Sequence, residues 1–280
     1  MRTMTKLLLS LAMPAALLAS QSASAVLITQ WKYENIAAFT DFTGVGVITG
    51  SNPNTAAYTI GGNPPNPVAG APTVLSWGVP QTASGQSRFR LGAQKVSGVE
   101  TVNDGVFVPD LELFHDNFVI NLGTTLRTAE LTAALVLEAL TPPNGVNLGP
   151  IPGQFKIKFQ ETDNALNPCP AGGPNPCADI FVLDESGGGS PLSFDFVVDD
   201  YTYTLSVALP ALQNLSNSAC SAAGAANGCR GFATPENQTS NFPVTFQITA
   251  RQNTVPEPGM LALLGLGLAG LGFGQTRRRK

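Results

Sequence analysis

The 280-residue chain reads as all-β, an antiparallel β-sandwich of jelly-roll-like type. Three observations predict it. Short runs rich in β-branched and aromatic residues recur along the sequence, and Gly, Pro or Asn bounds most of them. Apolar and polar side chains alternate within the runs, which gives each one buried and one wet face. In 154–159, for example, Phe155, Ile157 and Phe159 alternate with Lys156 and Lys158.

Taken in order, strands are expected at 26–31, 73–77, 87–91 and 118–122. Segment 128–140 is ambiguous. Its Ala and Leu residues favour a helix, yet Leu131, Ala133, Leu135, Leu137 and Ala139 also alternate, and we read it as one long strand. Strands follow at 154–159, 179–183, 192–198, 201–207 and 244–249, with Asp199-Asp200-Tyr201 as a hairpin turn between two of them. About ten strands separated by turn signals at short intervals fit a sandwich. Two stretches, 50–72 and 209–242, are rich in Asn, Pro, Gly, Ser and Ala and read as surface loops. Neither separates regions of different composition, so one extracytoplasmic domain is expected over 26–252.

The four cysteines form two local pairs. Cys169 and Cys177 bracket a Pro- and Gly-rich turn, and Cys220 and Cys229 bracket a run of Ser, Ala, Gly and Asn. Of the three pairings possible, 169–177 with 220–229 is favoured for an exported chain. Each bridge closes a short loop, stabilising by roughly 2–3 kcal/mol in the chain-entropy model. Zinc is the weaker reading, because the spacing is not CxxC and the chain holds a single histidine.

Both ends read as targeting segments. Arg2 and Lys6 precede an apolar run, and Ala23-Ser24-Ala25 offers the small residues that signal peptidase requires. That predicts a signal peptide over 1–25, cleaved before Val26. At the other end Val255-Pro256-Glu257-Pro258 leads into the apolar run 259–274, and Arg277, Arg278, Arg279 and Lys280 close the chain. Four cations hold that terminus in the cytoplasm. Sixteen residues span only about 24 Å as a helix, against a hydrocarbon core of ~30 Å. The six glycines in the run each cost ~1 kcal/mol of helix. Such a segment suits a brief stay in the membrane followed by processing. Removing the six terminal cations leaves nine basic residues against nineteen acidic ones, a charge of about −10. With no basic patch, nucleic acid and anionic membrane surfaces are excluded as partners.

The motif, apolar run and basic stop at 255–280 resemble a PEP-CTERM sorting signal, the C-terminal tag of envelope proteins handled by exosortase. The resemblance implies a short transmembrane sorting helix and exosortase as a partner. It also implies export from a Gram-negative-type bacterium, transiently through the inner membrane to the cell surface or medium. A second resemblance covers roughly residues 73–200. Leu75-Ser-Trp77-Gly78, Ser84-Gly85-Gln86-Ser87 and Phe114-His115-Asp116-Asn117 are similar to the THxN family of PEP-CTERM proteins. Glu161-Thr162-Asp163-Asn164, with Pro168-Cys169 and the stretch from Pro176-Cys177 to Phe181, resembles the choice-of-anchor K domain. Phe114 stands where the first family has Thr, so His115 and Asn117 are the carried-over pair. These families are defined by sorting and architecture. The implied function is a non-catalytic envelope or matrix protein, associated with exopolysaccharide or biofilm. A carbohydrate- or calcium-binding lectin-like module is the alternative.

Catalytic chemistry is thin in the residues themselves. His115 is the sole histidine and no GxSxG elbow occurs, so neither a catalytic residue nor a cofactor is assigned. His115-Asp116-Asn117 reads as a turn leading into a strand, its side chains satisfying local backbone groups. Calcium is the one ion with a case. Glu161 with Asp163, or Asp199 with Asp200, supplies oxygens but no EF-hand spacing. Glu161 with Asp195 or Asp199 is a weaker glycosidase pair. Trp31, Trp77 and Tyr58 would stack on sugar rings if exposed.

Overall fold

The computed structural model describes residues 26–185 and 192–253. It is an antiparallel sandwich of two seven-stranded sheets. The first runs β14 (Gln213–Asn214), β15 (Arg230–Thr234), β11 (Asp179–Leu183), β10 (Asn147–Gln160), β9 (Thr125–Thr141), β1 (Gln30–Val45), β6 (Lys95–Thr101). The second runs β12 (Ser193–Val198), β13 (Tyr201–Ala208), β16 (Gln238–Gln252), β7 (Val108–Asn117), β5 (Ser87–Leu91), β3 (Pro72–Trp77), β2 (Thr49–Pro53). A small ribbon pairs β4 (Val79–Pro80) with β8 (Ile120–Asn121), and the one described helix is α1 (Asn217–Ala222). The chain passes repeatedly from sheet to sheet, which gives the jelly-roll-like interleaving.

The core lies between the sheets. Trp31 and Tyr33 on β1 meet Tyr203 and Phe246 on β13 and β16 edge-to-face. Further along, Phe159 and Phe181 of the first sheet meet Phe89 of the second. Polar ties cross the same gap: the Tyr33 hydroxyl donates to Pro109 O at 2.6 Å, and Asn35 Nδ2 donates to both Asp110 oxygens.

The segment 128–140 is strand throughout, inside β9. Its helix-like composition has a physical cause: β9 is buried on both faces. Leu135 and Leu137 pack inward, while Val136 joins Ile36, Ala38, Tyr58 and Val68 in a second cluster on the outer face. That outer face is covered by the segment 54–71. Tyr58 donates to Ala134 O at 2.6 Å, and Asn54 Nδ2 donates to Ala37 O at 2.8 Å. Beneath the cover, Glu34 accepts from the Thr59 N–H and from Lys95 Nζ. Burial alone would raise that carboxyl, but these bonds outweigh it and hold Glu34 below the ordinary range. β11 is likewise buried on both faces, because α1 and the loop around Cys229 cover Ile180 and Val182.

Several boundaries differ from the sequence reading. The expected strand at 26–31 starts at Gln30 and continues to Val45, since residues 26–29 lie against the sandwich end; there Ile28 N–H donates to the Tyr203 hydroxyl. The expected strand at 118–122 shrinks to β8, which pairs with the two-residue β4 in the small ribbon and not with either large sheet. The loops expected at 50–72 and 209–242 contain β2, β14, β15, α1 and the start of β16. The hairpin turn at Asp199-Asp200 is present, with Asp199 in the left-handed region at φ 49.

Glu100 is one of the buried acids that make the fold pH-sensitive. Glu100 is fully buried and accepts the Ile248 N–H at 2.8 Å; burial pushes it up to about 7. Because the folded value is raised, the native state keeps a proton that the unfolded chain releases above its ordinary value of 4.5. Stability is therefore full below that value and falls as pH climbs through about 7. Urea denaturation should show Glu100 contributing a loss of about 1–3 kcal/mol across this window, and Glu100→Gln should make the slope shallower by that amount, leaving the share of the other buried acids. A slope unchanged by the substitution would mean that Glu100 does not take up the proton.

Candidate functional site

Inward-facing positions on five strands stay apolar along the sandwich and turn polar at one end. On β10 Ile157 and Phe159 face the core, and Glu161 follows at the same parity. On β11 Leu183 and Phe181 precede Asp179, and on β15 Phe232 is followed by Thr234 and then Glu236. On β7 Leu111 and Leu113 lead to His115 and Asn117; on β3 Leu75 leads to Trp77. Side chains two residues apart share a face of a strand, so the pattern that builds the core also gathers this polar set. Glu161 and Asp179 stand at the two feet of the β10–β11 connection, the connection that Cys169–Cys177 closes.

The carboxylates of Glu161, Asp179 and Glu236 each place an oxygen within 4.8 Å of the others, and all three residues are buried. Trp77 Nε1 donates to Glu161 Oε2 at 2.7 Å. The Thr162 N–H donates to Asp179 Oδ1 at 2.8 Å, and Asn164 Nδ2 to Glu236 Oε1 at 2.9 Å. Burial pushes Glu161 up to about 8, against the Trp77 bond; it raises Asp179 and Glu236 too, with Glu161 adding to the rise at Asp179. No Lys or Arg forms an ion pair with any of the three among the described residues. Two like charges 4.8 Å apart repel by about 3 kcal/mol at an effective dielectric of ~20. The set therefore holds protons or a cation near neutral pH.

Thr234 connects this cluster to the 115–117 motif. Its hydroxyl lies 2.9 Å from His115 Nδ1 and 3.4 Å from Asp179 O, and its carbonyl accepts from Asn117 Nδ2 at 2.9 Å. His115 stacks on Trp77 with ring centroids 5.6 Å apart and meets Phe159 edge-on. Burial pushes its imidazole down to about 3, so it stays neutral and cannot shuttle protons at neutral pH. Asp116 has the opposite parity. It accepts from Arg88 Nε at 2.5 Å, Arg90 Nε at 3.0 Å and the Thr239 hydroxyl; burial opposes ionisation, but these bonds hold it below the usual range.

These positions correct three sequence expectations. His115, Asp116 and Asn117 are not in a turn; they end β7 and pair with β5 on one side and β16 on the other. Glu161 meets Asp179 and Glu236 rather than Asp163, whose side chain instead accepts the Ala165 N–H. Asp195 accepts from Thr204 on the neighbouring strand, and Asp199 sits in its turn, so neither forms an acid pair with Glu161. Trp31, Trp77 and Tyr58 are all buried in the folded chain, so none offers a sugar-stacking face. Both cysteine pairs are bridged, with Cα–Cα distances of 5.3 Å for Cys169–Cys177 and 5.7 Å for Cys220–Cys229. Thr234 and Glu236 were not singled out by motif spacing, and Asp179, though inside the stretch from Pro176-Cys177 to Phe181, was given no role. Counting by twos from the apolar inward positions is the signal that reaches them.

Ala23, Ala25, Val255 to Pro258 and the basic stop from Arg277 to Lys280 lie outside the described residues. Among the described residues no helix is long and apolar enough to cross a membrane. The fold and its sealed, polar end define a β-sandwich class of protein; its destination is written elsewhere in the chain. The PEP-CTERM protein-sorting motif matches residues 254–279. That motif marks an exported protein, held transiently in the membrane and processed by exosortase. No curated protein matches the chain.

The bridging role of Thr234 is open to test. Thr234→Val keeps the shape but leaves His115 Nδ1 buried without its partner. Urea denaturation should show a loss of about 1–3 kcal/mol. A loss under ~0.5 kcal/mol would mean that Thr234 does not couple the two groups.

Proposed function

We propose that this chain is a non-catalytic component of the cell envelope or extracellular matrix, delivered as an exosortase substrate and associated with exopolysaccharide or biofilm. The observation that carries the reading is the sorting motif at 254–279. It is joined by the signal-peptide pattern at 1–25, which implies signal peptidase as the first partner and passage through the inner membrane of a Gram-negative-type bacterium. The non-catalytic part has its own support. The sole histidine is buried and held neutral, and all four cysteines are in disulfides. The residues similar to the THxN and choice-of-anchor K families, Trp77, His115, Asn117, Glu161, Asn164 and Asp179, meet in one cluster. We read that convergence as support for kinship with those families. The exported part carries about −10 of charge and has no basic patch, which suits a soluble matrix component that does not bind nucleic acid.

The lectin-like alternative loses its aromatic platform with the burial of Trp31, Trp77 and Tyr58. Its calcium-binding half keeps a specific observation in its favour, the buried carboxylate set.

Intact mass of the protein recovered from envelope, medium and the polysaccharide fraction tests the proposal, in strains with and without exosortase. The expected outcome is a chain ending near Pro258 only when exosortase is present, co-fractionating with polysaccharide. Retention of Lys280 in both strains would mean a permanent anchor and contradict the sorting step.

A further inference from the structure

We propose that Glu161, Asp179 and Glu236, with the side-chain oxygens of Thr162 and Asn164, form a binding site for one hard divalent cation, calcium in the first instance. Opposite ligands at calcium bonds of ~2.4 Å lie about 4.8 Å apart. Three carboxylate oxygens within 4.8 Å of one another are therefore spaced on the scale of a single coordination sphere.

A second observation points the same way, and it does not depend on the acids being close together. Asp179 Oδ2, Glu236 Oε2, Thr162 Oγ1 and Asn164 Oδ1 are all buried without an N–H or hydroxyl donor. Asp179 is 0% exposed and Thr162 1%. The Thr162 backbone N–H holds the Asp179 carboxylate and the Asn164 amide nitrogen holds Glu236, so both residues are tied to the cluster while their own side-chain oxygens stay unpartnered. Buried polar atoms without partners are rare in folded chains. A cation bound among the carboxylates would satisfy such oxygens.

Ligand chemistry selects the ion. The set is oxygen-only: the cysteines are bridged, and the group within ligand distance holds carboxylates and no histidine nitrogen. Soft and borderline metals prefer sulfur or nitrogen. Magnesium demands near-ideal octahedral geometry and keeps its waters, whereas calcium accepts irregular sets of carboxylate, amide and hydroxyl oxygens. A pocket of about 290 Å³, lined by Thr125, Arg127, Gln160, Glu161, Thr162 and Asp163, borders the cluster on its Glu161–Thr162 side.

The ion would tie the β10–β11 connection to the β15–β16 connection, a link between the two sheets at the end where the family-like residues meet. Export gives the site its supply of calcium, and to that extent the inference rests on the sorting reading. Binding itself does not, and an in vitro titration separates the two.

The test uses the full chain purified in detergent and stripped of metal with EDTA, which is then removed. Calorimetric titration with CaCl2 should show one site per chain, with Kd roughly 10⁻³ M or tighter. At ten times Kd, Tm should rise by about 3 °C or more. Terbium should give luminescence sensitised by Trp77, which calcium displaces and Trp77→Phe removes. Asp179→Asn and Glu236→Gln should each weaken calcium binding by at least tenfold. Absence of saturable heat and of any Tm change at about 10 mM calcium would overturn the proposal and leave a proton-sharing acid cluster. Wild-type affinity in Glu236→Gln would overturn it equally. Should Asp179→Asn fail to fold, the wild-type titration and Glu236→Gln still decide.

Discussion

The pairing of β1 with β9 is the constraint on which the rest of the structure depends. The two strands stay in antiparallel register from Gln30↔Thr141 to Val45↔Thr125, interrupted by three shifts. A ladder of that length between central strands is expensive to misalign, because slipping one residue would turn every inward side chain outward. Trp31, Tyr33, Ala37 and Phe39 from β1 and Leu135 and Leu137 from β9 all point into the inter-sheet core. Both faces being sealed, a slip would also drive core groups into the cover formed by 54–71. Register, core and cover therefore specify one another.

The polar end is a consequence of that frame. Once β9 fixes β10, and β10 fixes β11 and β15, the inward positions of those strands are set all the way to their ends. Glu161, Asp179 and Glu236 occupy the last inward positions of the first sheet, opposite Trp77, His115 and Asn117 of the second. Buried acids with no cationic partner weaken a fold unless a proton or a metal compensates them. Their retention beside a disulfide-closed connection is what a bound ion or a shared proton network would explain.

Much of this was legible in the sequence, and the remainder follows physical lines. The sandwich class was readable because short alternating runs between turn residues carry a period of two. The disulfides were readable because each pair brackets a turn too small to pack. Residues 128–140 were harder, since burial on both faces erases alternation, and only tertiary context distinguishes a strand of that kind from a buried helix. His115-Asp116-Asn117 misled for the reverse reason. Asp and Asn are turn formers by local propensity, but pairing with β5 and β16 overrides that preference. Glu161 and Asp179 fall within quoted motifs, but their grouping with Glu236 escaped motif reading, because the three are spread from 161 to 236 and meet only through strand pairing.

Hydrogen exchange by mass spectrometry on the full chain tests the central claim, that the β1–β9 ladder is sealed on both faces and holds the sandwich together. Amides in 34–39 and 133–138 should exchange only through global unfolding, and far more slowly than those of the exposed edge strand β2. Exchange in 133–138 as fast as in β2 would contradict it, because a strand open to water on one face could not carry the register from which the polar end follows.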